Sequence, residues 1–267
     1  MAEETLLRSI VMDIKRRDTT DVRIYPFLIA AVVFAFVATA IVGFLTNVGQ
    51  SNEDRAYYLI GVTIVTVGIL LSLMYLLIGR NYKHAKRDAD LAMHMCTLAQ
   101  QLEAEGRFVG EKRLRKMAGS IPSVRLQKTF FIVFAVALIP ALAGTCYLVM
   151  EGPDTETINA ANVMYAVSLG ITALSLLLNI GFPKKHENEF MRFTDMFCDG
   201  VREAGYDAPR YQPVIGIRNG LLMLLLTLVT LFLFFPVWIY LSMRDMNRHL
   251  DQQWAYEEDL VRFLEDL

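Results

Sequence analysis

Five stretches of this chain, each 22 to 25 residues long, contain no Asp, Glu, Lys, Arg or His. They are Tyr25–Asn47, Tyr57–Gly79, Thr129–Met150, Ile158–Gly181 and Asn219–Met243. About 20 apolar residues of helix cover the hydrocarbon core of a bilayer, where the backbone must satisfy its own hydrogen bonds. This feature predicts an all-α, polytopic helical membrane protein. The chain has 267 residues, 54% of them apolar and 20% charged, so its charges are gathered between the stretches. That segregation argues against a soluble globular enzyme and against a disordered chain. A formal net charge of −2 argues against a basic nucleic-acid binder, and three cysteines argue against a disulfide scaffold. A cleaved signal peptide is not expected, because the first stretch is too long and another follows soon after.

Lys and Arg number five in residues 1–24, eleven in 80–128 and six in 182–218, against one in 48–56 and none in 151–157. By the positive-inside rule, the N-terminus and both long connections face the cytoplasm of a cell (plasma) membrane. Cys96 and Cys198 fall in those parts, and Cys146 falls in a span. The last stretch allows two readings. A single crossing puts the tail outside, whereas a re-entrant hairpin broken near Pro236 returns it to the cytoplasm.

Shifting the chain by 102 residues aligns Gly68-Ile69 with Gly170-Ile171, Ile78-Gly79 with Ile180-Gly181, His84 with His186 and Cys96 with Cys198. A shift of 165 brings His84 onto His249. After each histidine comes a 4-3-4 seam of one helix face. The seams are Leu91, Met95, Leu98 and Leu102; Phe193, Phe197, Gly200 and Ala204; and Tyr256, Leu260, Phe263 and Leu267. The chain therefore reads as two tandem parallel repeats, each a transmembrane hairpin plus a cytoplasmic amphipathic helix, with a partial third. Residues 1–24 form an N-terminal amphipathic segment and residues 25–79 the first hairpin. Residues 80–128 hold the first cytoplasmic helix with a basic linker, 129–181 the second hairpin, and 182–218 the second helix and linker. Residues 219–243 are the fifth membrane segment and 244–267 a C-terminal amphipathic helix.

The ending Phe235-Pro236-Val237-Trp238-Ile239-Tyr240, followed by Asp245-Met246-Asn247-Arg248-His249, resembles small prokaryotic multi-span membrane proteins of unknown function. Those proteins carry an aromatic-rich membrane segment before a polar helix. The resemblance is confined to the C-terminal part of the chain, lacks the Gly-Ile-Tyr turn such proteins often carry, and implies no activity.

His84, His186 and His249 each lie seven residues before the first position of a seam. If the three helices bundle, three imidazoles converge, a donor set suited to zinc or another transition metal, or to a pH-sensitive latch. Residues 107–128 carry seven Lys/Arg against one acid, Glu111. Arg107, Lys112, Arg113, Arg115 and Lys116 are the candidates for contact with anionic lipid headgroups. Ala31, Ala35, Thr39 and Gly43 recur every fourth residue, a spacing that lets membrane helices pack closely.

No phosphate loop, dinucleotide fingerprint, C-x-x-C pair or nucleophile elbow is present in the sequence. No catalytic residue and no cofactor are expected. The reading is a non-enzymatic integral membrane protein that acts as an anchored interaction or scaffold module through its cytoplasmic helices. One alternative is a passive channel or facilitator formed by an oligomer. A second is a metal- or pH-responsive membrane protein built on the three histidines. The expected partners are an anionic lipid bilayer and a second copy or a cytoplasmic protein, with no nucleic acid.

Overall fold

The computed structural model describes residues 2–25, 52–121, 181–230 and 234–266, with isolated positions between them. These residues are all-α: α1 (Ala2–Lys15), α2 (Arg17–Thr20), α3 (Asn52–Ala104), α4 (Glu111–Ala118), α5 (Phe182–Arg202), α6 (Gly220–Val229) and α7 (Phe235–Glu265). The chain divides into two compact units. The first comprises Met1–Ile24, Arg80–Val124 and Ile180–Leu267, and the second Tyr25–Gly79 and Arg125–Asn179.

The membrane architecture expected from the apolar stretches is corrected here. Among the described residues, no helix is long and apolar enough to cross a membrane. Tyr25–Asn47, Thr129–Met150 and Ile158–Gly181 fall almost entirely outside the described residues, as do Ala31, Ala35, Thr39 and Gly43. Tyr57–Gly79 is not a helix of its own but the first part of α3, which runs without a break into the charged stretch that follows. Asn219–Met243 is divided between two helices. α6 has ten residues, about 15 Å of helix, half the thickness of a hydrocarbon core. Pro236 opens α7 rather than breaking a helix, since its missing N–H costs nothing in a first turn. An uninterrupted apolar run is thus not an uninterrupted apolar helix.

The polytopic membrane fold, its tandem transmembrane-hairpin repeats and the plasma-membrane location are withdrawn on this finding. So are the membrane-anchored scaffold, the channel and the membrane-bound metal or pH responder, together with the lipid-bilayer partner.

The core of the first unit is built from side chains of α1, α3, α4, α5 and α7. On α3, Leu91, Met95, Leu98 and Leu102 are buried at helical spacing. Phe190, Phe193, Phe197 and Val201 of α5 face the same cluster, as do Tyr256, Leu260 and Leu264 of α7 and Ile10 and Ile14 of α1. α5 packs against both α4 and α7, and α1 packs against α7. Both α3 and α5 end in the same way, on a left-handed glycine, Gly106 at φ 74° and Gly205 at φ 94°. Beyond each glycine the next N–H turns back to close the helix, Arg107 N to the Leu102 carbonyl and Tyr206 N to the Val201 carbonyl. These stops set how much of each helix lies above the core, and the metal-ligating types sit at the opposite, N-terminal side of the seams.

Candidate metal centre

Three helices each carry a histidine one or two turns before their buried apolar stripe. On α3, His84 and Asp88 are four residues apart and share a face, with Arg87 beside them. On α7, His249, Gln253 and Glu257 follow one another at the same interval. α5 contributes His186 and Glu187 near its start. All of these side chains are buried.

The three imidazoles come together, with ring centroids 4.9 Å apart for His84 and His186, 5.3 Å for His84 and His249 and 5.5 Å for His186 and His249. One ligand atom each from His84, Asp88, His186 and His249 lies within 4.8 Å of all the others. His84 Nε2 is 3.3 Å from His249 Nε2 and 3.3 Å from Asp88 Oδ2, and His186 Nε2 is 2.8 Å from Asp88 Oδ2. Metal–nitrogen bonds of about 2.0 Å give a tetrahedron with edges of about 3.3 Å. The set is therefore close to coordination size. Phe182 stacks on His186 at 5.1 Å, and Phe190 stands on the other side at 6.4 Å, so aromatic rings wall the cluster from water.

The outer hydrogen bonds fix which nitrogens point inward. His84 Nδ1 lies 3.0 Å from Asp21 Oδ1. Burial pushes the Asp21 carboxyl up, but His84 and Arg87 outweigh it and hold it below its ordinary value. An ionised carboxylate only accepts, so His84 donates from Nδ1, and its Nε2 faces inward. His249 Nδ1 lies 2.8 Å from the Tyr211 hydroxyl, which lies 3.3 Å from Glu187 Oε1. Burial pushes the Tyr211 phenol up, so it keeps its proton and donates to Glu187. His249 then donates from Nδ1 to the Tyr211 oxygen, and its Nε2 lone pair also faces inward. Burial pushes His249 down to about 4 and also lowers His186, so both rings are neutral near pH 7. The Nε2 atoms of His84 and His249 thus stand 3.3 Å apart beside Asp88 Oδ2, a spacing close to the edge of a tetrahedral metal site.

Asp88 is held from behind. Arg87 Nε and Nη2 and Gln253 Nε2 all donate to Oδ1, at 3.1, 2.9 and 2.9 Å, leaving Oδ2 for the histidines. Burial pushes its carboxyl up, but His84, Arg87 and the bond from His186 keep it well below the usual range. Glu187 accepts from Val214 N at 2.8 Å and Ile215 N at 3.1 Å as well as from Lys184 Nζ at 3.1 Å. Burial raises it, yet His249, the Val214 N–H and Lys184 together bring it down to about 2. In this way Glu187 fixes the segment that presents Tyr211. Three buried atoms of the site have no hydrogen-bond partner among the described residues: His186 Nδ1, Gln253 Oε1 and Glu257 Oε2.

His84, His186 and His249 are brought together, then, and Arg107, Lys112, Arg113, Arg115 and Lys116 are not part of this site. Arg107 donates to the Tyr206 hydroxyl at 3.0 Å and lies over its ring, and Arg115 pairs with Glu111 at 2.6 Å. Lys112, Arg113 and Lys116 lie on the exposed face of α4. The assignment of these five to lipid headgroups is withdrawn with the bilayer. Cys96 and Cys198 are buried thiols outside the cluster, each pushed up to about 11 by burial. Sequence reasoning missed Asp88, Asp21, Glu187 and Tyr211. The one local signal among these is the H-x-x-x-D interval from His84 to Asp88 on a helix.

No family model matches the chain, and no curated protein and no solved structure shows significant similarity to it. The resemblance of the C-terminal part to small multi-span membrane proteins is corrected accordingly, since none of the comparisons returns such a protein and no described helix is long and apolar enough to cross a membrane.

Proposed function

We propose that this protein binds one divalent first-row transition-metal ion through His84, Asp88, His186 and His249, and that the ion has a structural rather than a catalytic role. The observation that supports this reading is the convergence of four ligand atoms within 4.8 Å, with two imidazoles oriented by outward hydrogen bonds. Three imidazoles and a carboxylate suit Zn²⁺, Fe²⁺, Co²⁺ or Ni²⁺ better than Mg²⁺ or Ca²⁺, which take oxygen ligands, or Cu⁺, which favours sulfur. The structural role rests on closure. All four ligands are fully buried, whereas a catalytic ion keeps a position open to water or substrate.

The test is metal loading of the full chain after treatment with a chelator. One equivalent of Co²⁺ is expected to bind, with the intense visible absorption of a tetrahedral site, and Zn²⁺ is expected to displace it. H249A and D88N should lose at least a hundredfold in affinity, while H94A, outside the cluster, should bind as the wild type does. Elemental analysis with no stoichiometric Mn, Fe, Co, Ni, Cu or Zn, together with a melting temperature unmoved by added Zn²⁺, would overturn the proposal.

A further inference from the structure

The N-terminal segment bears on the centre at one point. Asp21 follows α2 and its carboxylate is buried beneath the segment. Oδ1 lies 3.0 Å from His84 Nδ1 and accepts from Thr20 Oγ1 at 2.9 Å. Oδ2 accepts from Arg87 Nη1 at 2.6 Å and from Trp254 Nε1 at 2.9 Å. A single carboxylate thus joins the N-terminal segment to α3 and α7. The other contacts of the segment do not reach the ligands. Arg17 and Arg23 lie over the Trp254 ring at 5.1 and 4.8 Å, Arg23 pairs with Asp251 at 2.6 Å, and Asn247 Nδ2 donates to the Ile24 carbonyl at 2.9 Å.

We propose that Asp21 is a positioning residue for the metal ion, and that through its bond to His84 metal occupancy and docking of residues 17–24 strengthen each other. The inference rests on the metal-binding reading above. A histidine that binds a metal through one nitrogen becomes a stronger donor at the other, and a carboxylate accepting that bond makes the ring a better ligand. Outer partners of this kind change metal affinity by about 10–100-fold. Linkage makes the effect reciprocal: whatever factor the docked Asp21 adds to metal affinity, the metal adds to the docking of Asp21. The contacts to Trp254, Asp251 and Asn247 keep the segment in place without metal, so the coupling shows as tighter docking and not as release of an arm.

Two measurements on the full chain test this. Zn²⁺ affinity by competition is expected to fall about 10–100-fold in D21N, with one equivalent still bound and the Co²⁺ absorption shifted. In the wild type, hydrogen exchange of the amides of residues 17–24 is expected to slow on Zn²⁺ addition, and in D21N to slow much less. A D21N affinity within threefold of the wild type overturns the inference, as does wild-type exchange in 17–24 that Zn²⁺ leaves unchanged. The exchange arm needs no variant, so a D21N chain that fails to fold does not remove the test. A wild type that binds no metal overturns both readings, whereas stoichiometric binding without these effects overturns the coupling alone.

Discussion

Glu257 carries the most conditional charge in the first unit. Its Oε1 accepts from Arg87 at 2.7 Å and Gln253 at 3.0 Å, while its buried Oε2 has no hydrogen-bond partner. Burial drives its pKa up, Arg87 opposes this, and the charges of Asp88 and Asp21 add to the rise, which ends at about 8 against an ordinary 4.5. Between those two values the folded protein keeps a proton that the unfolded chain has lost, so stability falls as pH rises from 4.5 towards 8. E257Q removes this dependence. Thermal unfolding of both proteins from pH 5 to 8.5 should show the wild type losing ground to E257Q by up to about 1.4 kcal/mol for each pH step of one, levelling off above pH 8. Parallel curves would contradict it. The same scale shows what was legible in advance. The three histidines stood out because each precedes an apolar stripe by the same interval, and a common offset on three helices places them at a common depth. Asp88 did not stand out, because Phe190 and Gln253 occupy the matching positions four residues after His186 and His249. Asp21 and Tyr211 lie on segments outside the three helices, and no periodicity relates them to a histidine far along the chain.

At the scale of elements, the close approach of α5 to the segment before α4 depends on a residue without a side chain. A Cβ at Gly200 would stand 2.4 Å from Phe108 Cζ and 2.8 Å from the Val109 carbonyl oxygen. Val109 N also donates to the Gly200 carbonyl at 3.1 Å, so the two backbones cannot part without losing that bond. G200A should therefore cost about 1–3 kcal/mol in denaturant unfolding, by overpacking. F190A tests the aromatic wall. Phe190 stands edge-to-face with Tyr211 at 5.3 Å and with Tyr256 at 6.1 Å, and it approaches His249 at 6.5 Å. Its truncation should cost about 3–5 kcal/mol and weaken metal binding, read by urea melts with and without Zn²⁺. Helices ran ahead of their environment in the sequence. On α3 the buried Leu91, Met95, Leu98 and Leu102 coincide with the expected seam, whereas on α7 Leu264 rather than Phe263 is buried, and the partition of 219–243 into a ten-residue helix and the start of α7 was not legible. Hydropathy measures how apolar a run is, and it is silent on where the backbone turns within it. Pro236 was visible in that run, and whether a proline breaks a helix or opens one depends on what precedes it.

On the scale of the whole molecule, the first unit is assembled from three separate stretches, Met1–Ile24, Arg80–Val124 and Ile180–Leu267. An ion that ties α3, α5 and α7 together acts on all of their contacts at once. Zn²⁺ at one hundred times its dissociation constant should stabilise the folded chain by about 2.7 kcal/mol, and a chelator should remove that gain. Calorimetry with Zn²⁺ and with chelator checks this, and an H186A chain should respond to neither. His84 and His249 are 165 residues apart, yet their Nε2 atoms stand 3.3 Å from each other. During synthesis the first of these histidines leaves the ribosome long before α7 exists. A product cut short ahead of residue 249 carries at most two of the three imidazoles. Tight retention of the ion would then mark a chain translated through α7.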